Sequence, residues 1–322
     1  MVDIVGVGSP IMDLVVNVSR VPRGNGATGA NEIFHQGGGN CASALAACAR
    51  LGASAGMLAK VGGDGTGDFI IRDFIYNGVD TSCIIRGAPD TSSPYCISVS
   101  EVEEGTRLFI GRWNKAIARL EVSELDYEYI GHAKILHLDS GSPVSLAAAK
   151  FAREKGIKVS IDAGGFTEDR IAIMPYVDVF IASGMFYSEM FKDNEDDLEG
   201  NCLRLHDMGP EVIWVTRGAQ GCFGLVDGKF YNVPAFKVKV IDTTGAGDVF
   251  HGAYAAAMLE GLPHPECARY ASAVSAIKCM FPGGRTGIPN RQTLQRFLED
   301  GTVLTEEIEE RLNYYRRNFI FM

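Results

Sequence analysis

Ile241-Asp242-Thr243-Thr244-Gly245-Ala246-Gly247-Asp248-Val249-Phe250-His251-Gly252-Ala253-Tyr254 is the stretch from which the rest of the chain is read. A Gly-Ala-Gly turn leads straight into a segment of helical apolar spacing. That segment runs to about Glu260 and is stopped by Gly261 and Pro263. A helix start presents N–H groups without intrahelical partners and carries a partial positive charge. Glycines there let an anion approach the backbone closely, so the turn suits phosphoryl oxygens. Asp248 lies in the first turn. Beside an anion hole, a carboxylate can accept a hydroxyl proton while the amides hold the charge of a transferring phosphoryl group. Phosphoryl transfer asks for little more than such positioning and a metal ion. An acid in the first turn also serves simply to stabilise the helix start, and Gly-x-Gly-Asp alone does not separate the two roles.

Outward from this stretch, short buried runs alternate with helical patterns. Asp3–Val7, Ala55–Val61, Lys134–Leu138, Val159–Asp162, Val177–Ala182 and Val212–Thr216 read as strands. Ala42–Leu51, Phe69–Tyr76 and Val144–Glu154 read as helices, each closed near a glycine. This alternation implies parallel βαβ units with helices on both faces of one sheet. Two stretches, Leu14–Phe34 and Tyr95–Arg112, instead alternate apolar and polar residues at period two, with Glu103-Glu104-Gly105 as a hairpin turn in the second. Strands with one wet face belong to a small antiparallel sheet. They are expected to form a lid, from about 14–36 and 93–113, on a single domain spanning 1–322. The last segment, Thr305–Phe319, has acids early and bases late, which matches a solvated surface helix.

Composition excludes several classes. The net charge of −10 and the lack of a Lys/Arg block argue against nucleic-acid binding. No apolar run reaches the roughly 18–20 residues of a membrane helix, and the first residues read as a strand and not as a signal peptide. The eight cysteines contain no C-x-x-C pair, so they are expected to be reduced core residues of a cytoplasmic protein. Gly6-Val7-Gly8 after the first strand suggests a dinucleotide fingerprint, but Ile11 stands where the third glycine belongs. A non-catalytic sugar-binding protein of the same fold is the other rival, and the intact Asp248 and Gly245–Gly247 speak against it.

The long context resembles the ribokinase (PfkB) family of carbohydrate kinases. The stretch Asp242 to Asp248, with Phe250 and Gly252, looks like the family's C-terminal signature. Gly37-Gly38-Gly39, Ala42, Ala46, Ala49-Arg50-Leu51-Gly52, Val61-Gly62 and Asp64 to Gly67 follow its N-terminal signature, and Pro282 to Pro289 resembles the end of its core. The resemblance spans Asp3 to about Leu298. It implies a ribokinase-like α/β fold, a three-layer αβα sandwich with a mostly parallel sheet and a small β-sheet lid. It also implies an ATP-dependent phosphotransferase acting on a hydroxyl, most simply a primary one, of a sugar or sugar derivative, with an adenosine-type nucleoside kinase as the alternative.

Carried over residue by residue, the resemblance makes Asp248 the catalytic base and the amides of Gly245, Ala246 and Gly247 the anion hole. Asp13, Gly38, Gly39 and Asp139 would contact substrate. Ser43 stands where the family often has a substrate-binding Asn, with Asn40 one turn earlier as a substitute. Arg112 is a candidate for an anionic substrate group. Together Ser43, Arg112 and the diglycine lean toward a keto-sugar, sugar acid or modified fructose. Thr216, Gly218 and Gly221 would lie near the nucleotide phosphates and ribose, with Ser272 and Gly284 on the adenine side. The family's Asn-x-x-Glu motif is replaced by Ser183 and Phe186, leaving Glu189 as a stand-in for outer-shell support of magnesium. Asp242 keeps the place of a monovalent cation, so potassium joins ATP and Mg2+ as an expected cofactor. Exposed lid edges suggest a homodimer.

Overall fold

A computed structural model describes residues 2–112 and 117–318. The far ends of the expected lid, at Trp113, and of the expected last helix, at Phe319, lie outside the described residues. The chain opens with β1 (Ile4–Val7), β2 (Ile11–Val18), β3 (Ala30–Gly38), α1 (Asn40–Arg50), β4 (Ala55–Val61), α2 (Gly65–Tyr76) and β5 (Ile84–Arg86). Then come β6 (Tyr95–Glu101), β7 (Arg107–Arg112), α3 (Tyr127–Gly131), β8 (Ile135–Leu138), α4 (Pro143–Glu154), β9 (Lys158–Ala163) and α5 (Glu168–Ile173). β10 (Val179–Ser183), α6 (Gly184–Met190), α7 (Leu198–His206) and β11 (Val212–Thr216) continue the alternation. A hairpin of β12 (Cys222–Val226) and β13 (Lys229–Val233) precedes α8 (Ala246–Leu259), α9 (His264–Cys279), α10 (Arg291–Asp300) and α11 (Glu306–Arg317).

The large sheet runs β13-β12-β11-β10-β9-β8-β1-β4-β5, parallel from β11 to β5 and antiparallel through the β12–β13 hairpin. Its inner strands are buried along their length, as near-continuous apolar runs require when helices cover both faces. One face packs Leu136, Val159, Phe180 and Ile213 against α4 and α7. The other packs Ile181 and Trp214 under α1, α8 and α9. Trp214 Nε1 donates to Tyr254 Oη at 3.0 Å, so the largest apolar side chain of that layer is also polar-satisfied. Truncating a fully buried ring such as Phe180 to Ala is worth about 3–5 kcal/mol. Local signals set the helix ends: Asp64 accepts from the Gly67 N–H at α2, and Ser142 with Pro143 starts α4.

The small sheet runs β3-β2-β6-β7. It is mixed, and not antiparallel as expected: β2 pairs with β6 in parallel. The α1–β5 excursion between them allows the parallel return that a hairpin forbids. The loop 19–29 divides the first expected lid stretch into two strands. The C-terminal helix is also not merely solvated. Ile308, Arg311 and Tyr315 of α11 are buried, and Tyr315 stacks on Phe34 of β3 with ring centroids 5.9 Å apart. Its many charges hide this face, because one buried member is an arginine. All eight cysteines are free thiols, seven of them buried. No helix among the described residues is long and apolar enough to cross a membrane.

Candidate active site

Parallel strands of a doubly wound sheet deliver ligands to their carboxyl ends. Here that edge carries acids. Asp139 follows β8, Asp162 is near the end of β9, Asp13 lies on β2 of the small sheet, and Asp248 is in the first turn of α8. The four belong to one electrostatic unit, since the pKa of Asp248 responds to Asp162, that of Asp13 to Asp248, and that of Asp139 to both Asp162 and Asp248.

Gly245 caps α8 in the left-handed region, at φ 71°. A side chain there would also press on the Gly284 backbone, so glycine is required twice over. The Ala246 N–H closes a turn onto Thr243 O at 3.2 Å. A Cβ built on Gly247 would meet nothing within 4 Å, so the turn opens outward there. Gly247 and Asp248 are the next amides of the first turn, the class that lacks intrahelical acceptors. Asp248 is half-buried. Burial first, then the charge of Asp162, pushes its carboxyl up to about 6, while His251, Arg285 and Arg107 pull the other way. A base poised near neutrality suits general-base work.

Gly38 lies so close to the Asp13 carboxylate that any side chain would strike it. Burial lifts Asp13 to about 7 against the pull of Arg285. Asp139 accepts the Cys41 N–H at 3.2 Å, and burial raises it to about 7 as well. Asn40 does not face an open pocket alone: its Nδ2 donates to Asp162 Oδ2 at 3.3 Å. Ser43 is turned inward, and its Oγ accepts from Arg285 Nε at 3.3 Å. Arg112 is exposed at the end of β7, with Nη2 3.4 Å from Ser92 Oγ. The sequence reading did not single out Arg107. It lies at the start of β7, and its Nη1 donates to Thr243 O at 2.9 Å, tying the small sheet to the Thr243–Gly247 loop. Buried Ser98 of β6 adds a 3.5 Å contact to Thr244 Oγ1.

Arg285 was also missed, although Pro282 to Pro289 was quoted as a block. It is buried and pairs with Asp73. Its Nη2 donates to Gly38 O at 3.1 Å and its N–H to Gln36 Oε1 at 2.8 Å, so one side chain fixes the diglycine from behind. Asp162 and His251 were missed too. The rule that selects Asp139, an acid closing a buried strand, also selects Asp162, and His251 shares the helix face of Asp248 at i+3.

Among the residues expected near the nucleotide, Thr216 ends β11 and its Oγ1 donates to Ala182 O at 3.3 Å. Gly218 and Gly221 take φ 53° and 85° in the turn that Arg217 N–H closes on Gly221 O at 2.7 Å. Beside it opens a cavity of ≈ 420 Å³ lined by Gly184, Tyr187, Ser188, Arg217 and Gln220. Ser272 faces inward on α9, bonded to the Cys222 thiol, and Gly284 backs Gly245. Glu189 is exposed on α6. Phe186 is fully buried against Phe180, so the family's acid at that position is replaced by a core residue. Asp242 is buried. Burial alone would raise its carboxyl, but Lys278 and the amides of Thr244 and Gly283 outweigh it and hold the group below the usual range.

A base beside a glycine turn at the edge of a parallel sheet, with a second sheet bonded to the same loop, is the arrangement the sequence comparison then meets. Residues 1–291 match the pfkB family carbohydrate kinases. The chain belongs to that family. It is an ATP-dependent carbohydrate kinase by that membership, with an alcohol group as acceptor. Among its relatives, a ribokinase of Haemophilus influenzae is 28% identical over 91% of this chain and 97% of its own. An ATP-dependent ribose-1-phosphate kinase of Halopiger xanaduensis is 29% identical over 93% and 99%. The ribokinase structure from Thermotoga maritima superposes with a TM-score of 0.78 at 25% identity, covering 93% of this chain and all of its own.

Proposed function

We propose that this kinase transfers the γ-phosphate of magnesium-bound ATP to a primary hydroxyl of a neutral, hydroxyl-rich sugar. The observation that carries the reading is Asp248, a half-buried carboxylate raised to about 6 at the mouth of the Gly245–Gly247 turn. In the step itself, Asp248 takes the acceptor hydroxyl proton as that oxygen bonds to phosphorus. The bond from phosphorus to the ADP oxygen breaks, and ADP leaves with the electron pair. The first-turn amides and Arg107 stand where negative charge gathers. Magnesium arrives on the nucleotide phosphates, which supply most of its oxygen ligands. Thr216, Gly218 and Gly221 line the nucleotide side, with Ser272 and Gly284 farther along it.

Neutral sugar is favoured over sugar acid because Asp13 and Asp139, the expected acceptor contacts, are buried carboxyls already raised to about 7, and an anion beside them would add like charge. Arg112, the candidate for an anionic substrate group, contacts Ser92, and Ser43 is engaged with Arg285. The small sheet acts as a lid that excludes water when it closes. Its edge strand β7 exposes Leu108, Phe109 and Ile110 and pairs with a second copy; a monomer in sedimentation at micromolar concentration excludes that pairing.

The test is ATP consumption over a panel of neutral sugars, sugar acids, sugar phosphates and nucleosides. Turnover on a neutral sugar is expected. Preference for an acid or phosphate overturns the charge argument, and preference for a nucleoside supports the adenosine-type alternative.

A further inference from the structure

The surroundings of Asp242 do not fit the alkali cation that the resemblance places beside it. Each of its three oxygens already accepts a protein donor at 2.8 Å: Oδ1 from the Thr244 N–H, Oδ2 from the Gly283 N–H, and the main-chain O from Lys278 Nζ. Lys278 is completely buried in the last turn of α9. The loop is drawn onto that helix end, with the Ile241 and Asp242 N–H groups both donating to Cys279 O, at 2.8 and 3.2 Å. Gly287 lies against the Lys278 backbone with no room for a side chain. Farther along the same segment, a second protein cation takes up carbonyls: Arg311 Nη1 donates to Thr286 O at 2.7 Å and Ile288 O at 2.5 Å.

A buried ammonium is costly unless a fixed negative group balances it. Asp242 is that group, and it opens the loop that ends in the anion hole. An alkali ion added here would meet a like charge in a poorly screened interior. We propose that the Lys278 ammonium is the resident cation of this site, standing in for a monovalent metal ion, so that the kinase works without potassium. Lys278 is then a positioning residue. It acts through Asp242 on the Thr243–Gly247 turn and touches neither substrate. The consequence for turnover rests on the kinase reading, whereas occupancy of the site does not.

Two measurements on the unaltered protein decide it. Crystals soaked in rubidium chloride should show no anomalous peak within bonding distance of Asp242, and a peak there overturns the proposal. Turnover with tetramethylammonium as the only monovalent cation should match turnover in potassium within about twofold, and activation on the order of tenfold overturns it. Lys278→Ala supplies the positive arm: turnover falls and potassium or ammonium restores part of it. A folded Lys278→Ala protein that is fully active in tetramethylammonium counts against the proposal. If that variant does not fold, the rubidium soak and the salt series still decide. A chain inactive on every acceptor defeats the kinase reading, and the rubidium soak still reports on the cation site.

Discussion

His251 Nε2 lies 3.3 Å from Asp162 Oδ1, inside the molecule and one helical turn beyond Asp248. The other oxygen of Asp162 accepts from Asn40, so a strand end, α1 and α8 meet at one carboxylate. Burial raises Asp248 first, the same carboxylate charge raises it further, and His251 counters both. The pair therefore tunes how basic the proposed base is, on top of its burial. His251→Gln removes the counterweight. Turnover is expected to fall by about tenfold, with the acid limb of the kcat/KM profile moved to higher pH and the KM for ATP little changed. An unmoved acid limb in a folded variant limits His251 to packing.

Asp248 itself gives the sharper test. Removing a positioned base costs about 10²–10⁴ in turnover, so Asp248→Asn should lose that much and still bind ATP. Its carboxyl titrates at about 6, and only the ionised form accepts a proton. In the wild type kcat/KM should therefore be level above that pH and fall about tenfold per unit below it. Activity that rises as pH drops from 7 to 5 contradicts the assignment.

Asp13 and Asp139 make the opposite demand on stability. Burial raises both from 3.8 to about 7, so the folded protein binds their protons more tightly than the unfolded chain does. Stability from these protons is fully present below the unfolded value and is lost as pH rises through about 7. The ligand-free protein should melt at a lower temperature at pH 8 than at pH 6. Asp13→Asn combined with Asp139→Asn should flatten that difference. Melting curves of the two proteins at both pH values settle it; an equal slope removes the carboxylates as its cause.

What was legible in the sequence divides along physical lines. The strands, the Gly245 turn and Asp248 rest on local patterns, Asp139 follows a strand whose end a sequence displays, and Asp13, which lies on β2, was reached only through the resemblance. Arg285 and Lys278 were not legible, because each draws its meaning from partners far along the chain. Arg285 binds Asp73 and Gly38, and Lys278 binds Asp242. A lysine or arginine reads as surface until a buried acceptor is known. Ser43 shows the converse: it stands where the family often has a substrate-binding Asn, and what the sequence does not show is that a buried arginine donates to it. The parallel pairing of β2 with β6 was hidden because period two does not reveal strand direction.

The C-terminal helix carries the last prediction. It lies beyond residues 1–291, the part that matches the family, yet it is fastened to the segment that backs the anion hole. Arg311 is buried, and its Nη1 donates to Thr286 O and Ile288 O while Nη2 pairs with Glu307. Tyr315 stacks on Phe34, and its Oη accepts from Asn77 Nδ2 at 3.2 Å. Arg316 pairs with Glu32 of β3. One helix thus holds the 285–288 segment and the root of the small sheet together. Arg311→Met keeps most of the volume and leaves the buried Thr286 and Ile288 carbonyls without their donor, while Glu307 keeps only Arg50, a loss of roughly 3 kcal/mol. Denaturant unfolding should show that loss with little change in slope, whereas Arg316→Met, at an exposed pair, should cost under about 1 kcal/mol. Equal effects of the two substitutions would mean that the helix is held by its rings and not by Arg311.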